Sequence, residues 1–292
     1  MLNDQAAGLR AMQSNQVQSA TPAAKPVRVL AVASGKGGVG KTNVSVNLGI
    51  SLSKLGNRVL LMDADMGLAN VDIMLGLQTR YNLSHVLDGE KTLKQVIVEG
   101  PAGLKIIPAA SGVKRMAQLT AMENAGIINA FSELSDELDV LIVDTAAGIA
   151  DSVVSFCRAA QEVIVVVTDE PASITDAYAL IKVLSRDYQV TRFRLLANMS
   201  RSEKHGRQLY EKLAKVSEQF LNVSLDYLGS VPFDNDLREA VQKQVPVTVG
   251  KPHSSAAQAF KEMAYEIDSW PIPQGATGYL QFFVENLFQS GH

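Results

Sequence analysis

The residues that most plainly carry chemistry are Gly35-Lys36-Gly37-Gly38-Val39-Gly40-Lys41-Thr42, a complete G-x-x-x-x-G-K-[ST]. Such a string binds phosphate. Its glycines let the loop wrap so that successive backbone N–H groups converge on a β-phosphate, and the N-terminus of a following helix adds positive potential. Lys41 is placed to neutralise the β- and γ-phosphates and the Thr42 hydroxyl to ligate Mg²⁺, with Asn43 at the loop's exit. Two acidic strand ends complete the set: Leu60-Leu61-Met62 runs into Asp63-Ala64-Asp65, and Val140-Leu141-Ile142-Val143 runs into Asp144. Carboxylates there lie at the C-terminal edge of a sheet, where open α/β folds bind ligands. Asp144 is expected to hold Mg²⁺ through a water, and Gly148 to let the backbone approach a γ-phosphate. Read singly, either strand-end aspartate is also compatible with capping a helix.

The elements that must position these groups are legible around them. Short apolar runs at Val27–Ala33, Arg58–Met62, Leu104–Ile107, Val140–Val143, Val163–Val167, Arg194–Ala197 and Tyr227–Val231 alternate with longer amphipathic stretches. Their continuous Val/Ile/Leu character, without period-two alternation, predicts strands covered on both faces. The expected fold is therefore α/β, a doubly wound, mostly parallel sheet flanked by helices, with Asn43–Leu55, Ile174–Arg186 and Arg207–Phe220 among the crossovers. Asn198 and Val231-Pro232-Phe233-Asp234 follow two of these strands, and an amide can read a base edge with one donor and one acceptor. A turn residue is the plainer reading of Asn198.

Composition bounds the rest. With 47% hydrophobic residues in 292, the core needs no covalent staples. Cys157 is the only cysteine, which excludes an internal disulfide framework and a self-contained Cys₄ iron–sulfur site. A formal net charge of −3 advertises neither DNA nor an anionic membrane as a bulk partner. No basic-then-apolar leader opens the chain, and no apolar run reaches the roughly 18 residues of a spanning helix. A cytoplasmic protein is expected. Residues 1–26 read as a flexible tail tipped by a short helix that Asp4 would cap, residues 27–269 as a single domain, and residues 270–292 as a linker followed by an amphipathic helix.

On that last helix, Tyr279, Leu280, Phe282, Phe283, Val284, Leu287 and Phe288 cover a wide arc at about 100° per residue, opposite Gln281, Glu285 and Gln289. Glu285 is its only strongly charged residue, so membrane attachment would rest on apolar burial alone. One rival expectation is that the helix packs on its own domain until ATP-driven dimerisation displaces it; the plainer one is that it is simply a core helix.

Lys36-Gly37-Gly38-Val39-Gly40-Lys41-Thr42 resembles the deviant phosphate loop of the MinD/ParA ATPases. That resemblance implies ATP/ADP and Mg²⁺ as cofactors, and a homodimer in which Lys36 reaches the partner's nucleotide. It also implies that Asp65 is the switch aspartate that orients the attacking water near the metal, that Asp63 supports the metal's surroundings, and that Asn198, Pro232, Phe233 and Asp234 contact adenine. Three segments narrow it to the FlhG/FleN flagellar-number regulators: Asp63–Asp72, Thr168–Tyr178 and the leading Asp4-Gln5-Ala6-x-x-Leu9-Arg10. The resemblance then implies a slow, dimerisation-dependent ATPase associating with the inner membrane or cell pole. Its implied partners are a polar flagellar GTPase of the signal-recognition type, met through Asp4, Gln5, Ala6, Leu9 and Arg10, flagellar C-ring proteins and the flagellar master transcription activator. A septum-site MinD shares the nucleotide site but not the leader, and a partitioning ParA would need a basic DNA-binding face. A switch that binds without hydrolysing is opposed by Asp65 and Asp144.

Overall fold

The computed structural model describes residues 26–65, 70–108, 121–271 and 280–288. The Asp4–Arg10 motif and Tyr279 lie outside them. In chain order the strands are β1 (Arg28–Ser34), β2 (Val59–Ala64), β3 (Val98–Glu99), β4 (Lys105–Ile107), β5 (Val140–Ala147), β6 (Glu162–Val167), β7 (Arg192–Ser200) and β8 (Ser224–Pro232). The helices are α1 (Lys41–Lys54), α2 (Val71–Leu75), α3 (Leu83–Leu87), α4 (Leu93–Val96), α5 (Ala121–Ser132), α6 (Asp151–Ala159), α7 (Pro171–Tyr188), α8 (Glu203–Leu221), α9 (Asn235–Gln242), α10 (Val247–Gly250), α11 (Ser255–Ser269) and α12 (Leu280–Phe288).

The strands form one sheet in the order β3-β4-β2-β5-β1-β6-β7-β8, parallel throughout except for the short β3–β4 edge. From β1 the chain first moves outward to β2; after β5 it crosses to the other side of β1 and continues through β6, β7 and β8. The crevice created by that reversal opens at the carboxyl end of β1, so the fold itself places the phosphate loop at its ligand-binding edge.

Every residue of β1 is buried, and alternate side chains enter different layers. Leu30 and Val32 pack with Val44, Leu48, Phe260 and Ile267 from α1 and α11. Ala31 and Ala33 face Val153 and Leu180 of α6 and α7. Both faces thus remove β1 from water, which is why its sequence shows no polar alternation. At the other end of the sheet, the Arg28 guanidinium donates to the Trp270 carbonyl at 2.6 Å while Arg194 lies 4.4 Å from that indole ring. These contacts fasten the end of α11 to the start of β1.

The terminal helix α12 lies on its own domain. Leu280, Phe283 and Val284 are buried in the layer that contains Phe131 of α5 and Phe156 of α6, with Leu287 packed against it, and Arg158 donates to the Asn286 carbonyl at 3.4 Å. Of the arc that the sequence offered to a membrane, Leu280 and Phe283 are therefore covered and Phe282 and Leu287 half-buried. The helix is thus packed on its own domain, as both the self-docked and the core-helix readings expect.

Candidate nucleotide site

β1 ends at Ser34, and the loop from Gly35 to Gly40 carries the chain into α1. Gly35 abuts the Asp176 carbonyl of α7 so closely that a Cβ could not be accommodated. Gly40, the residue before α1, has φ +83°, and a Cβ there would strike the Asn198 amide. The two ends of the loop are therefore glycine for different reasons, one for close approach and one for close approach plus a left-handed backbone.

Lys41 opens α1 and is nearly buried. Its Nζ lies 3.2 Å from Asp144 Oδ1. Ser45, one helical turn onward, donates its hydroxyl to the same oxygen at 2.8 Å. Asp144 is fully buried, and its Oδ2 has no hydrogen-bond partner. Beside it in the parallel register of β2 and β5 stands Asp63, itself 1% exposed. Burial, reinforced by the neighbouring Asp144 charge, pushes the Asp63 carboxyl up to about 7 despite backbone N–H bonds from Asp65, Val71 and Asn70. The buried Asp144 carboxylate shares Lys41 and Ser45 through one oxygen and leaves the other unpartnered, an arrangement that suits a divalent cation. Thr42 and Asp144 fit Mg²⁺ on this chemistry.

Asp63 has a geometric task as well. Its Oδ1 accepts from Asp65 N at 3.0 Å, and its Oδ2 accepts from Asn70 N and Val71 N, each at 3.2 Å. The side chain joins the end of β2 to the start of α2 and so holds Asp65 at the mouth of the cleft.

Above this buried group lies a cleft of about 1140 Å³, bordered by Lys36, Gly37, Gly38, Val39, Lys41, Thr42, Asn43, Asp65, Asn198, Pro232, Phe233 and Asp234. That volume is ample for a nucleotide. The elements thus gather most of the residues singled out in the sequence, with Asp63 and Asp144 beneath them. Asn198 Nδ2 donates to the Val39 carbonyl at 2.7 Å, tying β7 to the phosphate loop. Phe233 is 56% exposed at the rim, with the Arg238 guanidinium 5.7 Å from its ring centroid. The Asp234 carboxylate accepts from Asp236 N at 2.8 Å and from Ser255 Oγ and Ala256 N at 2.9 Å each. It therefore fixes the entries of α9 and α11, and touches the cleft only as part of its border. Lys36 stands at the rim with Nζ 2.7 Å from Glu170 Oε2, and both side chains are exposed.

Sequence reasoning missed three contributors. Ser45 was signalled by its four-residue spacing from Lys41 on one helix face. Glu170, 134 residues from Lys36, had no local signal. Met199 borders the cleft with φ +54°, where the register between β7 and β8 shifts, so that both it and Asn198 turn toward Gly40. A non-glycine residue held there stores strain on the order of 1–3 kcal/mol, a feature found at binding sites.

The family profile described as ParA, NUBPL iron-transfer P-loop NTPase, matches residues 25–268. The chain belongs to the ParA/MinD family of P-loop NTPases. Within it, the chain is 58% identical over 264 residues to the antiactivator FleN of Pseudomonas aeruginosa, a match covering 90% of this chain and 94% of the relative. It is 37% identical over 238 residues to the flagellum site-determining protein YlxH of Helicobacter pylori, covering 81% and 80% of the two chains. These similarities place it in the FleN/FlhG branch. Among solved structures, the septum site-determining protein MinD complexed with Mg-ADP from Pyrococcus horikoshii superposes with a TM-score of 0.65 at 26% identity, over 83% of this chain and 96% of that one. Fold and family are those of the P-loop NTPases.

Proposed function

We propose that the chain is an ATP-driven dimerising switch that regulates flagellar number and placement. The observation that carries this reading is the buried Lys41–Asp144–Ser45 group at the foot of the phosphate loop, with one Asp144 oxygen unpartnered in a chain so similar to an antiactivator FleN. Among the described residues no cluster of His, Cys, Asp and Glu matches the iron-transfer description of the family profile. Cys157 is the only cysteine, it is buried, and burial pushes its thiol up to about 12, far from the thiolate that iron would need.

The mechanism follows from the side chains. ATP enters the cleft with its phosphates on the loop amides, and Lys41 exchanges Asp144 for the β- and γ-phosphates. Thr42 and Asp144 would hold Mg²⁺, which supplies charge neutralisation across the phosphates. The Asn198 amide, already anchored through Nδ2, retains Oδ1 as an acceptor suited to the amino group of adenine, and Phe233 offers an apolar face to the base. Asp65, held by the Asp63 clamp, orients the attacking water. Lys36 leaves Glu170 and reaches the nucleotide of a second protomer, so that bound ATP and dimerisation reinforce one another. Dimerisation reshapes the surface under α12, and the freed apolar face meets a membrane or a partner.

Asp4, Gln5, Ala6, Leu9 and Arg10 would engage a polar flagellar GTPase. C-ring proteins and the master transcription activator are the further partners of this reading. Among the described residues no helix is long and apolar enough to cross a membrane, so attachment at the inner membrane or pole would run through α12. The experiment is complementation of a deletion strain with counting of flagella by electron microscopy. Wild-type chain should restore the normal number and Lys41→Ala should not; restoration by both would remove the nucleotide from the proposed function.

A further inference from the structure

Ser45 is fully buried on α1, and its hydroxyl has two acceptors within reach: Asp144 Oδ1 at 2.8 Å and the Lys41 carbonyl at 3.2 Å. It carries one hydrogen, and the closer, charged acceptor makes the stronger bond. Asp144 Oδ1 thus has two partners, Lys41 and Ser45, while Oδ2 has none although it is buried. A carboxylate with one oxygen doubly held and the other bare cannot rotate freely without breaking both bonds.

We propose that Ser45 is a positioning residue that fixes the Asp144 carboxylate for Mg²⁺ once nucleotide draws Lys41 away. The inference rests on reading the cleft as a Mg²⁺–nucleotide site. In the free protein Lys41 and Ser45 share the task. With phosphates bound, Lys41 turns to them, and Ser45 is left as the donor that keeps Oδ1 in place. A neutral hydroxyl suits this role because it fixes orientation without cancelling the negative charge that Oδ2 must present. An ammonium at the same distance would compete with the cation.

The test is binding, not turnover. A fluorescent, non-hydrolysable ATP analogue is titrated onto the full chain, once with Mg²⁺ and once with EDTA, for wild type and Ser45→Ala. The variant should match wild type in EDTA and lose about tenfold of the affinity that Mg²⁺ confers, the usual consequence of removing a hydrogen bond behind a metal-associated ligand. Its melting temperature without nucleotide should stay close to wild type, because Asp144 keeps Lys41 in that state. An undiminished Mg²⁺-dependent gain would overturn the inference, as would an equal loss with and without Mg²⁺, which is what a merely structural hydroxyl would produce. A wild-type chain that binds the analogue equally with and without Mg²⁺ would instead overturn the site reading on which this one stands.

Discussion

Lys41→Met examines the electrostatics of the cleft before any ligand arrives. The lysine is 7% exposed and its partner Asp144 fully buried, with 3.2 Å between Nζ and Oδ1. Removing one member of such a pair strands the other, which costs about 3–5 kcal/mol when the remaining charge is well buried. Ser45 still donates to Asp144 in the variant, and the cleft admits water on the lysine side, so the lower end, about 3 kcal/mol, is expected. Asp144→Asn should behave differently. Lys41 can extend into the cleft, Asp63 loses the neighbouring charge that helps raise its pKa, and the net cost should be no more than about 1 kcal/mol. In the double variant no carboxylate is stranded beside a missing lysine, so a double-mutant cycle should return a coupling of about 2 kcal/mol. Urea unfolding in EDTA, without nucleotide, measures all four corners of that cycle. A Lys41→Met chain within about 0.5 kcal/mol of wild type, the range of an inconsequential surface change, would refute the claim that Lys41 compensates Asp144 in the free protein.

Phe283→Ala should destabilise the domain by about 3 kcal/mol through the cavity left between α5 and α6, and hydrogen exchange over residues 280–288 should quicken. The same segment should exchange faster in wild type when the ATP-bound dimer forms; unchanged protection would leave α12 a fixed part of the core. Lys36→Gln should keep nucleotide affinity, because Lys36 is paired with Glu170 outside the loop's interior, and lose ATP-dependent dimerisation; isothermal titration that finds it as impaired as Lys41→Ala would contradict an interface role. A peptide spanning residues 1–15 should stimulate the cognate polar GTPase, and full stimulation by the Gln5→Ala peptide would discard that motif.

Much of this arrangement is written locally in the chain. The seven strands other than β3 leave apolar runs in the chain, plainest in β1, β5 and β6, which are covered on both faces and so consist of little but Val, Ile, Leu and Ala. β3 escapes notice because two residues carry no period. The three crossover helices begin two to four residues before their apolar pattern does, since Gly40, Glu170 and Ser202 precede them and first turns face solvent or phosphate; Ser202, for example, accepts from His205 N. The phosphate loop and Asp144 are legible for the same reason, as a contiguous motif and an acid at the end of an apolar run. What could not be read are contacts closed by the fold. Asp234 looks like a free acid after a strand, yet α11, more than twenty residues on, consumes its carboxylate. Asp63 resembles a metal-side acid and is spent on the amides of Asp65, Asn70 and Val71. The helix α12 has one amphipathic pattern that serves membrane, partner or core alike, and only the apolar layer it shares with α5 and α6 decides which face is covered.

The central claim, that ATP binding drives dimerisation through Lys36 and that hydrolysis through Asp65 reverses it, is tested most directly by the mass of the particle in solution. Light scattering behind size-exclusion chromatography, run on Asp65→Ala with Mg²⁺–ATP, with Mg²⁺–ADP and without nucleotide, should give a dimer in the first case and a monomer in the other two. The same variant should turn over no ATP. A monomer in all three conditions, or a dimer that ignores the nucleotide, would contradict the account.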